Sequence, residues 1–269
     1  MESLERLARE QPFRILARAI LKRMKTSVET RATWELSKRP AYMLGLVEAA
    51  KQAKRQGVGK ISAVEFGVAG GNGLVALQED ARAVELETGV HIMVYGFDAG
   101  PGGLPEFCGD HRDHPDIWQP GDYPMDVDAL RAKLSARTQL ILGNVRDTVP
   151  NFFKFDIPPV GFVSFDLDLY SSTRDALRIF TTAKMLWHVP CYFDDIEFVF
   201  NNRWGGEFLA IEEFNQLSEG IKIDKWHGVR NGKAFPERGY FDRMFVAHDL
   251  AAVSKVALKR ETGYLKLGA

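Results

Sequence analysis

From residue 61 onward, short apolar runs alternate with amphipathic stretches, and this alternation limits the folds open to the chain more than any other feature of its 269 residues. The runs 61–66, 91–97, 138–142, 160–165, 190–194, 222–229 and 241–247 have the length and composition of strands. Between the first two, Leu74, Leu77, Ala81 and Val84 recur at helical spacing, while Glu79, Asp80, Arg82 and Glu85 take the opposite side. After the fourth run, Ser172 and Asp175 have capping-box spacing, and Leu177, Phe180 and Ala183 then mark a buried helix face. Residues 41–56 give a further helix that leads into the first run. Strands that alternate with helices use them as crossovers between parallel neighbours. The chain therefore reads as one α/β unit, a mostly parallel sheet with helices on both faces. Residues 1–58 are expected to form a helical N-terminal extension of it, 59–250 the sheet domain and 251–269 a tail.

The remaining sequence excludes several classes. A net charge of −1 hides a basic N-terminus, where residues 1–40 carry ten Lys or Arg against five Glu. Leu4, Leu7, Ile20 and Leu21 are threaded among those charges, the pattern of an amphipathic helix that docks one face and solvates the other. That reading leaves neither nucleic acid nor membrane as a partner. No apolar run approaches the roughly 20 residues of a membrane span, and the first residues are too charged for a signal peptide, so a cytoplasmic location is expected. Cys108 and Cys191 lie far apart without metal-type spacing, and they are expected to be buried thiols. Residues 99–125, rich in proline and glycine, have no period; so long a loop in a compact domain is usually a lid or a binding loop.

The stretch ISAVEFGVAGGNG, residues 61–73, runs a strand into a glycine turn. In an open parallel sheet, ligands bind at the carboxyl ends of the strands, where glycines admit close backbone approach. Two cofactors compete for this turn. GNGLVA, residues 71–76, matches a dinucleotide fingerprint, with Asp98 following as its ribose-binding acid. The other frame uses Glu65 inside the strand, Gly67 directly after it, and Gly71 and Gly73 around the turn. An acid there repels a pyrophosphate and welcomes a cation, so charge favours S-adenosylmethionine, a sulfonium and ammonium compound without phosphate. With either cofactor, Asp98 is placed to accept the ribose hydroxyls; Asn144, in the run 143–145, is the candidate to border the adenine, with an ordinary turn as the other reading of that run.

Farther along, VSFDLDLYSSTRDAL and CYFDDIEF place Asp166, Asp168, Asp194 and Asp195 at two strand ends. Asp166 and Asp168 share a face of an extended strand. If the two strands are neighbours, the acids meet and repel, and Arg174 is the only basic residue close to them in sequence. A hard divalent cation, Mg²⁺, resolves that repulsion. A metal beside a sulfonium donor suits methyl transfer to a hydroxyl, whose proton the metal acidifies. Asp166 is a candidate base, and His111 and His114 in the long loop are the histidines to test. His227 and His248 receive no role.

With these residues in place, EFGVAGGNG, GFDAGPGGLPE, GNVRDTVP, DLDLYSSTRDAL and FDDIEF together resemble, in order and over roughly residues 60–215, the macrocin and mycinamicin O-methyltransferases. That resemblance implies a Rossmann-like class I methyltransferase fold whose seven-stranded sheet ends in an antiparallel strand. It further implies Mg²⁺ at Asp166, Asp194 and Asp195, a cofactor ribose at Asp98, a hydroxylated small-molecule acceptor such as a natural-product sugar, and a homo-oligomer. Leu167 stands where the family has glycine, WHVPCYFDD lacks the family's Pro-Gly-Gly, and AGPGG replaces a phenylalanine after Asp98. These departures bear on the acceptor more than on the cofactor. A methyltransferase-like protein retained for binding or assembly, and an NAD-dependent reductase, are the competing readings.

Overall fold

A strand forms at each of the seven strand-like runs, although 226–229 lie beyond β6 and 241–243 form a 3-10 turn before β7, in a computed structural model that describes residue 10 and residues 12–152, 154–197 and 202–256. The strands are β1 (Lys60–Phe66), β2 (His91–Asp98), β3 (Thr138–Leu142), β4 (Val160–Phe165), β5 (His188–Phe193), β6 (Ile221–Lys225) and β7 (Met244–Asp249). Their order across the sheet is β3-β2-β1-β4-β5-β7-β6, with β7 antiparallel to both neighbours and every other pairing parallel. The helices are α1 (Phe13–Leu21), α2 (Val28–Thr33), α3 (Pro40–Arg55), α4 (Asn72–Thr88), α5 (Val127–Arg131), α6 (Val145–Phe152), α7 (Tyr170–Ala176), α8 (Ile179–Thr182), α9 (Gly206–Leu217) and α10 (Leu250–Val253). Strand order reverses between β1 and β4, which is where this topology opens a crevice for a ligand.

Because side chains alternate along a strand, the two faces of the sheet carry different chemistry. On one face Phe97, Phe66, Phe165 and Phe193 sit in register across β2, β1, β4 and β5. Their ring centroids are 4.9, 5.4 and 4.5 Å apart, close enough for the row to brace four strand ends with apolar contact. Phe152 of α6 and Phe180 of α8 extend this layer. The opposite face, under α3 and α4, holds Glu65, Ser164 and Tyr192 one register step earlier. The residue after each phenylalanine then lies at one edge of the sheet: Asp98 ends β2, and Gly67, Asp166 and Asp194 directly follow β1, β4 and β5.

Local expectations fail where distant chain intervenes. Asp80, expected at the solvent, is buried, because α2 and the segment after it cover that side of α4. There it accepts a hydrogen bond from Ser37 Oγ and faces Arg31 at 3.6 Å. The helix expected to begin at Ser172 begins two residues earlier, so Ser172 lies inside α7 and does not cap it. Its first turn is held instead by Asp113 of the long loop, which accepts from Ser171 N (2.7 Å) and Ser171 Oγ (2.9 Å). Asp113 also accepts from Cys108 N, so one buried carboxylate ties the loop to the helix.

The amphipathic α1 docks Ala17 and Leu21 against Trp34 and Phe235, but Ile15, Leu16 and Ile20 remain 60, 61 and 51% exposed. Of the four leucines and isoleucines expected to dock, Leu21 does and Ile20 does not; Leu4 and Leu7 lie outside the described residues. Cys191 is buried as expected, whereas Cys108 is exposed in the loop, and both are free. No described helix is long and apolar enough to cross a membrane.

Candidate functional site

The carboxyl ends of β1, β2, β4 and β5 open into a cavity of about 630 Å³, within the range of small-molecule sites. Glu65, Gly67, Asp98, Asp166 and Asp194 form its floor, and Leu104, Pro105, Trp118 and Tyr123 of the long loop form a wall. The loop that the sequence marks as a lid or binding loop therefore borders the strand-end acids.

At the glycine turn, Glu65 is almost wholly buried. Its Oε1 accepts from the Tyr42 hydroxyl at 2.8 Å, and that hydroxyl accepts from Ser164 Oγ at 2.9 Å. Its Oε2 is buried with no hydrogen-bond partner among the described residues. Burial pushes the carboxyl up to about 8, against the lowering effect of the Tyr42 bond. Gly73 makes room for this acid, since a Cβ there would overlap Glu65 Oε1. Gly67 has φ +79°, and a Cβ on it would overlap the Asp166 carbonyl, so glycine is required where β1 and β4 part. Gly71 is the N-cap of α4 and, like Gly73, lines the cavity.

Asp98 is also at the cavity, but its carboxylate is largely engaged by the turn itself. Oδ2 accepts from Val68 N and Ala69 N, each at 2.8 Å, and Oδ1 from Gly100 N at 2.7 Å. A carboxylate has about four acceptor sites, so one remains for a ligand hydroxyl. Asn144 lines the cavity beyond β3, with its Oδ1 accepting from Arg146 N.

The aspartates converge. β4 and β5 are neighbours, and one carboxylate oxygen each of Asp166, Asp194 and Asp195 lie within 4.8 Å of one another. Burial, then Asp194 and Asp195, raises Asp166 to about 8. Asp195 is likewise raised to about 8 by burial and Asp168, and Asp168 to about 7 by burial and Asp166. Such shifts mark acids whose negative charge is under-compensated, which is the condition a divalent cation relieves. Asp168 also lines this cavity but is not among the three: it takes a left-handed φ of +61°, and its N–H donates to Asp195 Oδ2 at 3.0 Å.

Partial compensation comes from residues that no local pattern announced. Asp194 accepts from the Tyr192 hydroxyl at 2.7 Å and from Arg243 at 3.1 Å. Arg39, at the start of α3, lowers Asp166 from across the cavity. Arg174 does not take part: it pairs with Asp175 at 3.2 Å and lies over the Tyr170 ring. Beneath the acids, Glu207 at the start of α9 is fully buried, and its Oε2 accepts from Asp195 N at 3.1 Å.

His114 and His111 part company. His111 is exposed on a short 3-10 turn, His111–Asp113. His114 is buried with φ +48° and lines a separate small cavity with Ile117, Trp118, Asp168, Asp195, Gly206 and Glu207. Its Nε2 has no hydrogen-bond partner among the described residues. It thus stands behind the acid cluster, not in the large cavity. His248, without an expected role, contacts His188 at 2.9 Å where the start of β5 pairs with the end of β7.

The sheet order and the position of the crevice define a Rossmann-like fold of the class I methyltransferase type. Among solved structures, this chain is similar to CalS11, a calicheamicin methyltransferase, at 20% identity and a TM-score of 0.52, covering 89% of this chain and 93% of that one. An apo structure of CalS11, described as a TDP-rhamnose 3'-O-methyltransferase, aligns at 20% identity and a TM-score of 0.44, over 76% and 77% of the chains. The mycinamycin-pathway methyltransferase MycE, in complex with Mg and S-adenosylhomocysteine, aligns at 11% identity and a TM-score of 0.42, over 75% of this chain and 48% of that one. No family model and no curated protein sequence matches the chain.

Proposed function

We propose that this protein is an S-adenosylmethionine-dependent, Mg²⁺-assisted O-methyltransferase that acts on a hydroxyl of a small molecule, such as a sugar of a natural product. The observation that carries the reading is that one cavity joins two charge-defined halves: a buried, half-satisfied Glu65 at the glycine turn, and three aspartates with ligand oxygens within 4.8 Å. The likeness of the first half's chemistry to a cation site, and of the second to a hard-metal site, supports methyl transfer over hydride transfer.

In this account Glu65 faces the cationic end of the cofactor, Gly67, Gly71 and Gly73 admit it to the backbone, and Asp98 and Asn144 border the nucleoside. Asp166, Asp194 and Asp195 would hold Mg²⁺, which in such a site acidifies a bound hydroxyl and fixes its direction. Asp166, kept ionised by the cation it would help to hold, is also the candidate to take the hydroxyl proton. Trp118, Tyr123 and Leu104 exclude water from the acceptor side. His114 lines the small cavity behind Asp168 and Asp195 rather than the acceptor side. The exposure of Ile15, Leu16 and Ile20 on α1 supports the homo-oligomer.

The test is a methyl-transfer assay with labelled S-adenosylmethionine over a panel of glycosylated and phenolic acceptors. Transfer that is lost on chelation, restored by Mg²⁺ and absent in Asp166→Asn is the expected result. Tight binding of NADH in place of S-adenosylhomocysteine would sink the proposal in favour of a reductase. Cofactor binding with no turnover on any acceptor would point to a non-catalytic binding or assembly protein.

A further inference from the structure

Away from the large cavity, α1 and the segment around Phe235 enclose a second one of about 410 Å³, and no residue lines both. Four cations meet there: Arg14, Arg18 and Lys22, at intervals of four along α1 and its C-cap, and Arg238. The three guanidinium carbons lie 5.1, 5.5 and 5.6 Å from the centre of the buried Phe235 ring, so they crowd one small volume. Cations four apart on a helix repel, and an aromatic face offsets only part of that.

Two carboxylates answer them. Arg14 donates to Glu237 through both terminal nitrogens, at 3.1 and 2.7 Å, and Arg238 pairs with Glu35 at 3.3 Å. Arg18 donates instead to the Glu35 main-chain carbonyl, at 3.2 and 2.8 Å, a partner without net charge. Burial raises Glu35 towards its neutral form, against the pull of Arg238 and Arg18. Even with both acids ionised, four positive charges face two negative ones. Docking of α1 accounts for the arginines, but it leaves two groups over. Lys22 is exposed with no ion pair among the described residues, and Arg14 Nε is buried with no hydrogen-bond partner among them. A buried donor is costly to leave unmet.

The shortfall has a shape as well as a sign. A carboxylate offers two coplanar oxygens and one charge, enough for a single guanidinium fork. A phosphate monoester offers three terminal oxygens and a charge approaching −2 near neutral pH, which matches donors that converge from two segments and the two charges in excess. The bonds to Glu237 and Glu35 already hold the arginines, so binding need not order them. Ile15 and Ala19 line the same cavity, which is larger than a bare phosphate and has room for an organic portion beside the anion.

We infer that this second cavity binds an organic phosphate, with Arg14, Arg18, Lys22 and Arg238 around the phosphoryl group and Ile15 and Ala19 against the organic part. The site is separate from the proposed methyl-transfer cavity and stands whether or not that reading does.

Calorimetric titration of the full chain with phenyl phosphate and with benzoate tests it, in EDTA to keep Mg²⁺ from drawing phosphate to the aspartates. Wild type should bind phenyl phosphate with a dissociation constant below about 1 mM at low ionic strength, and at least about tenfold more tightly than benzoate. Lys22→Gln removes an exposed charge with no ion partner among the described residues; it should weaken phenyl phosphate by about 3- to 10-fold at an unchanged melting temperature. Arg18→Gln should cost about tenfold or more. Arg18→Lys, which keeps the charge and loses the fork, should fall between wild type and the Gln variant and serves should that variant not fold. Arg39→Gln, in the large cavity, should leave the titration unaltered. Absence of binding at millimolar concentration, equal affinity for benzoate, or a loss confined to Arg39→Gln would overturn the site. Vesicles of phosphatidylcholine with phosphatidic acid separate two sources of the phosphoryl group. Cosedimentation that Lys22→Gln abolishes identifies a lipid head group, and its absence alongside phenyl phosphate binding identifies a soluble ligand.

Discussion

Raising the pH should weaken the metal-free fold between about pH 5 and 8, the reverse of ordinary behaviour for carboxylates, and Mg²⁺ should cancel the effect. Asp166 and Asp195 are raised from 3.8 to about 8 in the folded chain, and Asp168 to about 7, in each case chiefly by burial and then by neighbouring acids. Their unfolded values lie near 4. Between those limits the folded protein binds protons that the unfolded chain has released, so stability is highest at the acid end and declines as pH rises towards the folded values. Each proton so held costs about 1.4 kcal/mol per pH unit, or about 4 kcal/mol over three units, a large share of the stability of an ordinary domain. Urea denaturation at constant ionic strength from pH 5.5 to 8.5, with EDTA or with Mg²⁺, measures it. In EDTA the midpoint should fall with pH and level off above 8; Asp166→Asn should flatten the slope by about one proton. With Mg²⁺ the slope should shrink, because the cation takes the place of the protons and its own affinity rises with pH. Stability that rises through this window in EDTA, or a Mg²⁺ effect that does not change with pH, would refute the argument.

Three further outcomes follow from particular contacts. Tyr42→Phe removes the hydrogen bond to a buried Glu65 and the acceptor of Ser164, and should cost about 1–3 kcal/mol in chemical denaturation. Asp113→Ala frees Cys108 N, Ser171 N and Ser171 Oγ together; protease cleavage within 99–125 should accelerate several-fold while S-adenosylhomocysteine affinity is unchanged. Gly67→Ala meets both a left-handed φ and the Asp166 backbone, and should lower the melting temperature more than Gly102→Ala, whose added methyl would meet open space.

What the sequence made legible was whatever depends on short-range pattern. Strand runs are apolar because both faces of a parallel sheet are covered, so 61–66 and 160–165 stand out without knowledge of their neighbours. The strand-end acids were visible for the same reason: a charge directly after an apolar run sits where the sheet stops. Arg39, Arg243 and Glu207 reach the same site from distant segments, with no period or motif to link them to it. Arg174 was adjacent in sequence but points elsewhere, since helix geometry turns it towards Asp175 and Tyr170. Ser172 illustrates the competition between local and tertiary capping. Its spacing to Asp175 is right, yet Asp113 supplies the helix start from another segment, two residues earlier. Asp80 departs from its amphipathic expectation because such a pattern tells which face meets the sheet, but not that other segments cover the opposite side.

The central claim is that cofactor and metal share one cavity, and it can be tested without knowing the acceptor. Mn²⁺ substituted for Mg²⁺ should broaden the NMR signal of S-adenosylmethionine carrying a ¹³C-labelled methyl group when both are bound to the wild-type protein. In Asp194→Ala the labelled cofactor should still bind and its methyl signal should stay sharp. Sharp wild-type spectra with both ligands bound, or equal broadening in the variant, would place the metal away from Asp166, Asp194 and Asp195 and contradict the account.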